Sequence, residues 1–300
     1  MQSVLRFWEI SKADVDTVIK DANSCIPGIF DDLSPSLTCK DCFVVEIANE
    51  NSWEDTQKVL LKTLTAIKQP LIQARKKCLD IFLDTGIFVS DLHESITKIT
   101  LTPALLKLLS ELGLLQILTI YNDIEHELTH ENVELTSNMP SFYSTSLVFE
   151  KTSKDSMDSI ISKSETEGEH PMLWTKLFGR AFWSPEQENT YIVPLGGSSD
   201  YSKTHEMSWL MIRHAQSVLS LAKQLPCEPH LTFSFNLSEN ERLLTEVYWS
   251  RYFMQELAEL NMHLTFQIIS DSRSSPGDFI RPHDRYFWSR SIDKLPRKRH

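Results

Sequence analysis

The chain has 300 residues, of which 41 are acidic and 30 are basic, so its formal net charge is −11 at pH 7. This excess of negative charge disfavours general binding to nucleic acid or anionic membranes and favours attraction to a basic partner. No apolar stretch reaches membrane-spanning length and the N-terminus has no signal-peptide pattern, so we expect a soluble cytoplasmic protein. The five cysteines are an odd, unrepeated set, which is typical of a reducing compartment and not of a disulfide framework.

The first predicted module covers residues 1–130 and alternates helices with strands. Apolar positions on one helical face predict an entry helix at residues 11–19, and an apolar run predicts a strand at residues 43–47. Ser52-Trp53 opens a long amphipathic helix, in which Pro70 should cause a kink or begin a new turn. We expect the buried stripe of this helix to be Trp53, Leu60, Leu64, Ile67 and Leu71.

The same module ends with a strand, a helix and another strand. Residues 79–83 alternate in hydrophobicity like a half-buried strand. Thr102-Pro103 is typical of a helix N-cap followed by proline at the first helical position. Gly113 should end this helix in the left-handed conformation, and residues 117–121 form the last predicted strand.

A second module, at residues 147–272, repeats this order after a linker at residues 131–146. The stretch from Leu106 to Asp123 overlays the stretch from Met254 to Asp271 without a gap. Gly113 and Asn261, two residues that tolerate a left-handed backbone, fall on the same position. The sequence therefore predicts a tandem duplication. Further matching segments are residues 11–19 with 153–161, 43–47 with 191–195, 52–53 with 208–209, and 79–83 with 231–235.

The order of elements predicts an α+β fold, in which each module is a mixed sheet with helices packed mainly on one face. Residues 273–300 follow the second module as a proline-containing tail with a basic end, Arg297-Lys298-Arg299-His300. Because this tail also contains aromatic residues, we expect it to dock on a module or on a partner.

The most prominent chemical motif is His126-Glu127-Leu128-Thr129-His130. Two histidines four apart on a helix can hold zinc while the glutamate activates water, as in metalloproteases, and Glu134 is the nearest third ligand. The motif has acidic flanks instead of apolar ones, and the second module has Ser274 where the first has His126. We interpret it as a solvated acidic stretch and keep a zinc-dependent hydrolase as the alternative.

Two further motifs carry weaker signals. Cys39-Lys40-Asp41-Cys42 lacks both a second cysteine pair for structural zinc and a thioredoxin setting for redox chemistry. Gly196-Gly197-Ser198-Ser199-Asp200 lacks the Lys-Ser/Thr ending of a phosphate loop, so we expect a flexible connector. The sequence thus predicts no catalytic residue, no metal site and no cofactor.

Part of the first module resembles a family of small bacterial α+β domains of unknown function. The matching residues are Leu101-Thr102-Pro103-Ala104-Leu105-Leu106, then Leu109 to Leu112, Gly113 and Ile117 to Tyr121, and more faintly Asp31-Asp32-Leu33-Ser34-Pro35. Such domains are similar in size and setting to immunity proteins that neutralise bacterial toxins. The resemblance implies a fold and a binding role, and it carries no functional residues over.

These observations predict a non-enzymatic protein-binding protein. Its most concrete form is a cytoplasmic immunity or antitoxin-like inhibitor, whose acidic face occludes a basic partner such as a toxin. We expect neither a nucleic acid nor a membrane as partner. The candidate partner-binding residues are Glu125, Glu127, Glu131, Glu134, Asp31 and Asp32.

Overall fold

The structure is a computed structural model that describes residues 2–29, 34–35, 42–78, 80–88, 96–121, 142–167, 171–184, 187–198, 201–237 and 244–270. The elements of the first half are β1 (Gln2–Trp8), α1 (Lys12–Cys25), β2 (Ser34–Pro35), β3 (Cys42–Asn49), α2 (Trp53–Ala66), α3 (Lys68–Ala74), β4 (Asp80–Phe88), β5 (Ile96–Leu101), α4 (Pro103–Leu112) and β6 (Leu115–Tyr121). Those of the second half are β7 (Phe142–Glu150), α5 (Lys154–Glu167), α6 (Pro171–Phe178), β8 (Phe182–Trp183), β9 (Tyr191–Ser198), α7 (Tyr201–His214), α8 (Gln216–Ala222), β10 (Glu228–Leu237), β11 (Leu244–Trp249), α9 (Arg251–Glu259) and β12 (His263–Ser270).

The strands form two mixed six-stranded sheets, which confirms the predicted α+β class. The first sheet has the order β11-β6-β4-β1-β3-β2 and the second has the order β5-β12-β10-β7-β9-β8. In the first sheet β1 is antiparallel to β3 and β4, whereas β4 and β6 are parallel. The parallel pair follows from the crossover through α4, because a parallel neighbour cannot be reached by a tight turn.

The two strand orders correspond position by position. The central strands β6, β4, β1 and β3 of the first sheet take the places that β12, β10, β7 and β9 take in the second. The strand beside β6 is β11, from the second half of the chain, and the strand beside β12 is β5, from the first half. Each sheet is therefore completed by a strand that the sequence assigns to the other predicted module.

The chain divides into two compact units, and neither is continuous in sequence. Unit 1 contains residues 1–139 and 240–265, and unit 2 contains residues 140–239 and 266–300. The predicted boundaries, 1–130 and 147–272, follow the chain instead. Within unit 1, β11 pairs antiparallel with β6, and α9 packs against α4.

The core of unit 1 lies between the first sheet and its helices. On β1, Leu5 and Phe7 stand opposite Leu83 and Ile81 of β4, and all four side chains are buried. The predicted helix stripe is confirmed, since each of its five members is buried. The helix is interrupted at Ile67, where α2 ends and the shorter α3 begins, and Pro70 lies in the first turn of α3 as expected.

The predicted ends of α4 are also confirmed. The Thr102 hydroxyl accepts a hydrogen bond from the Leu105 amide, Pro103 is the first helical residue, and Gly113 is left-handed with φ 66°. Asn261, its counterpart in the overlay, has φ 54°. Both positions need a backbone that bulky residues rarely adopt, so the pairing of Gly with Asn has a physical cause.

Two local predictions for unit 2 are wrong. The pair Ser208-Trp209, which matches Ser52-Trp53, was expected to open a helix, but α7 begins at Tyr201. Ser208 therefore lies inside the helix, where its hydroxyl donates to the Thr204 carbonyl at 2.7 Å. Gly196, Gly197 and Ser198 belong to β9, where Gly196 pairs with Thr145 beside a register shift. A glycine with φ 147° at Gly196 fits this irregularity, so the two glycines lie within a strand and not in a connector.

His205 makes the stability of unit 2 depend on pH. Its ring is half-buried and stacks on Phe233 with 6.5 Å between ring centroids, and this partial burial lowers its pKa from 6.5 to about 4. Between the unfolded and the folded pKa, the His205 ring is protonated in the unfolded chain and neutral in the folded chain. The free energy of unfolding therefore falls as the pH drops from the unfolded pKa towards the folded one. We expect a loss of about 3 kcal/mol at most across this window, and we expect His205→Phe to remove it.

Urea denaturation of both proteins at several pH values between about 7 and about 4 measures this effect. Other groups contribute equally to both proteins, so the difference between the two curves isolates His205. If the stability of wild type and of His205→Phe changed in parallel with pH, the pH dependence could not be assigned to His205.

Candidate functional site

The predicted partner-binding residues and the zinc motif lie outside the residues that the structure describes. This holds for Glu125, Glu127, Glu131, Glu134, Asp31 and Asp32, for residues 126–130, and for the tail at residues 273–300. Of the C-x-x-C pair, Cys39 is outside the described ranges and Cys42 is the first residue of β3. These predictions stay predictions.

Two of the free cysteines in the described ranges, Cys78 and Cys227, have raised pKa values. Burial is the main cause that raises the pKa of Cys78 to about 11, and burial also raises the pKa of Cys227. A thiol with a raised pKa is neither a good nucleophile nor a ready metal ligand at neutral pH.

Aromatic side chains are exposed at one edge of the second sheet. Strand β8 is the outermost strand of that sheet and contains only Phe182 and Trp183, which are 47% and 39% exposed. The Trp183 ring meets the Tyr191 ring of β9 edge-on, with 5.1 Å between centroids. Tyr191 is itself buried, so the partly exposed indole of Trp183 packs against a ring of the core.

Beyond the aromatic edge, Phe182 and Trp183, the border of the sheet is formed by β9. Strand β8 pairs only with Tyr191 and Ile192, whereas β9 runs on to Ser198. Among the described strands, none pairs with the outer side of β9 from Val193 to Ser198. This length of strand is about 20 Å, and apart from Pro194 its residues carry both backbone donors and acceptors.

A second group of polar side chains lies where β7 ends and β10 begins. Glu150 and Glu228 stand directly opposite each other, and the Lys151 ammonium is 2.6 Å from a Glu228 oxygen. His230 lies two residues further along β10, with its Nε2 3.6 Å from a Glu150 oxygen.

Sequence reasoning missed both groups. Phe182 and Trp183 follow α6 too closely to form a strand-length pattern, although two adjacent aromatic residues in a polar stretch were a usable signal. Glu228 and His230 show the i, i+2 spacing that puts two side chains on one face of a strand.

Comparison with known proteins gives no relative from which a role can be transferred: no protein family, no curated protein and no solved structure matches the chain. In the part of the chain that the structure describes, no helix combines the length and apolar character needed to cross a bilayer.

Proposed function

We propose that this chain is a non-enzymatic protein-binding protein, and that it acts as a cytoplasmic immunity or antitoxin-like inhibitor of a basic protein. The observation that carries the proposal is the aromatic edge, Phe182 and Trp183, at the open side of the second sheet. Soluble proteins usually protect sheet edges with charged residues, proline or a covering segment. Two exposed aromatic rings at such an edge favour a surface that a partner covers.

The physical chemistry of the aromatic edge suits recognition of another chain. Tryptophan is among the residues most enriched in binding hot spots, because a large rigid ring is desolvated at small cost in conformational entropy. The open backbone of β9 could accept an extended segment of the partner, whose main-chain hydrogen bonds would add to the aromatic contacts.

The charge of the chain favours a basic partner. A net charge of −11 attracts a positively charged protein from a distance and raises the association rate, most strongly at low salt. In this proposal the acidic residues Glu125, Glu127, Glu131, Glu134, Asp31 and Asp32 remain the candidate electrostatic contacts.

The correspondence between the two strand orders supports the proposed duplication. After a duplication, one copy can keep the binding surface while the other copy only stabilises the fold. The outermost strands of the two sheets differ accordingly, since β8 carries exposed aromatic residues whereas β2 of the first sheet is Ser34–Pro35.

Replacing both edge aromatics is expected to abolish partner binding without unfolding the chain. Phe182→Ser with Trp183→Ser removes two exposed rings, so the melting temperature should stay within a few degrees, whereas affinity should fall by about 100-fold or more. Partner titration by calorimetry measures the affinity.

The matched control is Trp8→Ser with Tyr252→Ser, which removes two rings that are 43% and 50% exposed and lie elsewhere. It should leave affinity unchanged. Equal losses in the two double variants, or no loss in either, would contradict a binding role for the aromatic edge.

A further inference from the structure

We propose that the basic C-terminal tail, residues 273–300, covers the aromatic edge of the second sheet when no partner is bound. This role of the tail rests on the proposed function, because the tail then occupies the surface that we assign to the partner. The tail lies outside the described residues. Its charge, its aromatic content and its length, together with the side chains around the aromatic edge, favour it as the occupant.

The tail has the opposite charge to the rest of the chain. Residues 273–300 contain eight basic and three acidic residues, so their net charge is +5 (8 − 3 = 5). Because the whole chain carries −11, residues 1–272 carry −16 (−11 − 5 = −16). A basic segment that is tethered to an acidic body is held close to it, where attraction between the charges is strongest.

Exposed carboxylates accompany the aromatic edge within unit 2. Burial is the main cause that raises the pKa of Tyr191, and the negative charge of nearby Asp158 adds to it. Asp158 therefore lies close to the ring against which Trp183 packs. Glu188 lies in the turn between β8 and β9, and both carboxylates are on exposed residues. Two exposed rings with negative charges beside them suit a segment that combines arginines with aromatic residues.

The tail contains this combination. Arg281 and Arg285 precede Tyr286-Phe287-Trp288, and Arg290 follows. Guanidinium groups pair with carboxylates and also stack on aromatic faces, so the arginines can use both kinds of group at the edge. The three aromatic residues of the tail lose contact with water when they pack against exposed rings. A basic protein partner would use the same contacts, so the tail competes with it.

The tail is long enough to reach the aromatic edge from its own strand. In unit 2, the end of β12 is separated from β8 by β10, β7 and β9, so four strand spacings put the two about 19 Å apart. Strand β12 has eight residues, which is about 27 Å, so the diagonal of the sheet is about 33 Å. Fifteen residues separate Ser270 from Tyr286, and an extended segment of this length spans about 50 Å.

Photo-cross-linking of the purified full-length chain tests the proposal in the absence of any partner. With p-benzoylphenylalanine in place of Trp288, irradiation should cross-link the tail to residues 182–198, and the product should have the mass of a single chain. Peptide mass spectrometry locates the cross-link. A cross-link that joins two chains, one that falls outside residues 182–198, or no cross-link at all would overturn the proposal.

Variants of the same labelled chain identify the contacts. Phe182→Ser/Trp183→Ser removes the aromatic edge, and Arg281→Glu/Arg285→Glu reverses two charges of the tail. Each should lower the yield of the cross-link by about 10-fold, since each removes contacts that together stabilise the covered state. The Trp8→Ser/Tyr252→Ser control should leave the yield unchanged. Equal yields in all three double variants would overturn the proposal.

Competition between the tail and the partner gives a second measurement. Tyr286→Ser/Phe287→Ser weakens the tail without changing the net charge of the chain. If the tail covers the edge about nine-tenths of the time, this variant should bind the partner about 10-fold more tightly than wild type. An unchanged or lower affinity would overturn the proposed role of the tail. The proposed function fails by a different result, namely full affinity in Phe182→Ser/Trp183→Ser.

Discussion

Replacing Trp249 by alanine is expected to lower the free energy of unfolding of unit 1 by about 3 to 5 kcal/mol. Trp249 lies on β11, pairs with Gln116 of β6 and is fully buried. The next element, α9, buries Phe253, Met254 and Leu257. The strand and helix from the second half of the chain are therefore part of the core of unit 1, and a cavity at Trp249 should destabilise that unit.

Urea denaturation followed by circular dichroism measures this loss. Tyr252→Ala is the matched control, because Tyr252 lies three residues beyond Trp249 and is exposed, and its loss should change stability by about 0.5 kcal/mol or less. A Trp249→Ala protein as stable as the Tyr252→Ala protein would contradict the assignment of β11 to the core of unit 1.

Asp84→Ala should destabilise unit 1 by about 2 to 4 kcal/mol. The Asp84 carboxylate is buried on β4, forms an ion pair with Arg6 of β1, and accepts a hydrogen bond of 2.6 Å from Thr119 of β6. One carboxylate thus links three adjacent strands. Without it, the partly buried Arg6 guanidinium and the buried Thr119 hydroxyl both lose their acceptor, which costs more than the pair itself contributes.

Thermal and urea unfolding of Asp84→Ala and Glu111→Ala separate this cost from a general effect of removing charge. Glu111 forms a surface ion pair with Lys68 at 2.6 Å, and surface pairs contribute little. We expect Glu111→Ala to stay within about 1 kcal/mol of wild type. Equal effects of the two substitutions would show that the Asp84 pair has no special role.

The parts of the fold that depend on neighbouring residues could be predicted from the sequence. The cap at Thr102, the left-handed stop at Gly113 and the buried stripe of α2 and α3 follow from local backbone chemistry and helical periodicity. These features need no knowledge of what the element packs against.

The pairing of strands could not be predicted in the same way. Hydrophobic alternation shows that one face of β11 is buried, but it does not show whether β6 or β12 is its neighbour. The prediction of a connector at Gly196-Gly197 was wrong for a related reason, since Gly-Gly is typical of a connector and also of a bulge. Both ambiguities are resolved only by contacts between residues far apart in the chain.

The candidate sites also divide into those that neighbouring residues reveal and those that depend on strand pairing. Clusters of charge that are continuous in sequence, such as Glu125 to Glu134, were visible as motifs. The polar group of Glu150, Glu228 and His230 depends on the pairing of β7 with β10, and the aromatic edge depends on β8 being outermost. The proposed binding function therefore rests on a surface that no sequence motif marks.

Native mass spectrometry of the chain, affinity-purified from its source at low salt, tests the binding function most directly. The account predicts a stoichiometric complex with one basic protein, which is absent from the Phe182→Ser/Trp183→Ser variant and retained by the Trp8→Ser/Tyr252→Ser control. A chain recovered without any protein partner, or a partner that both double variants retain equally, would contradict it.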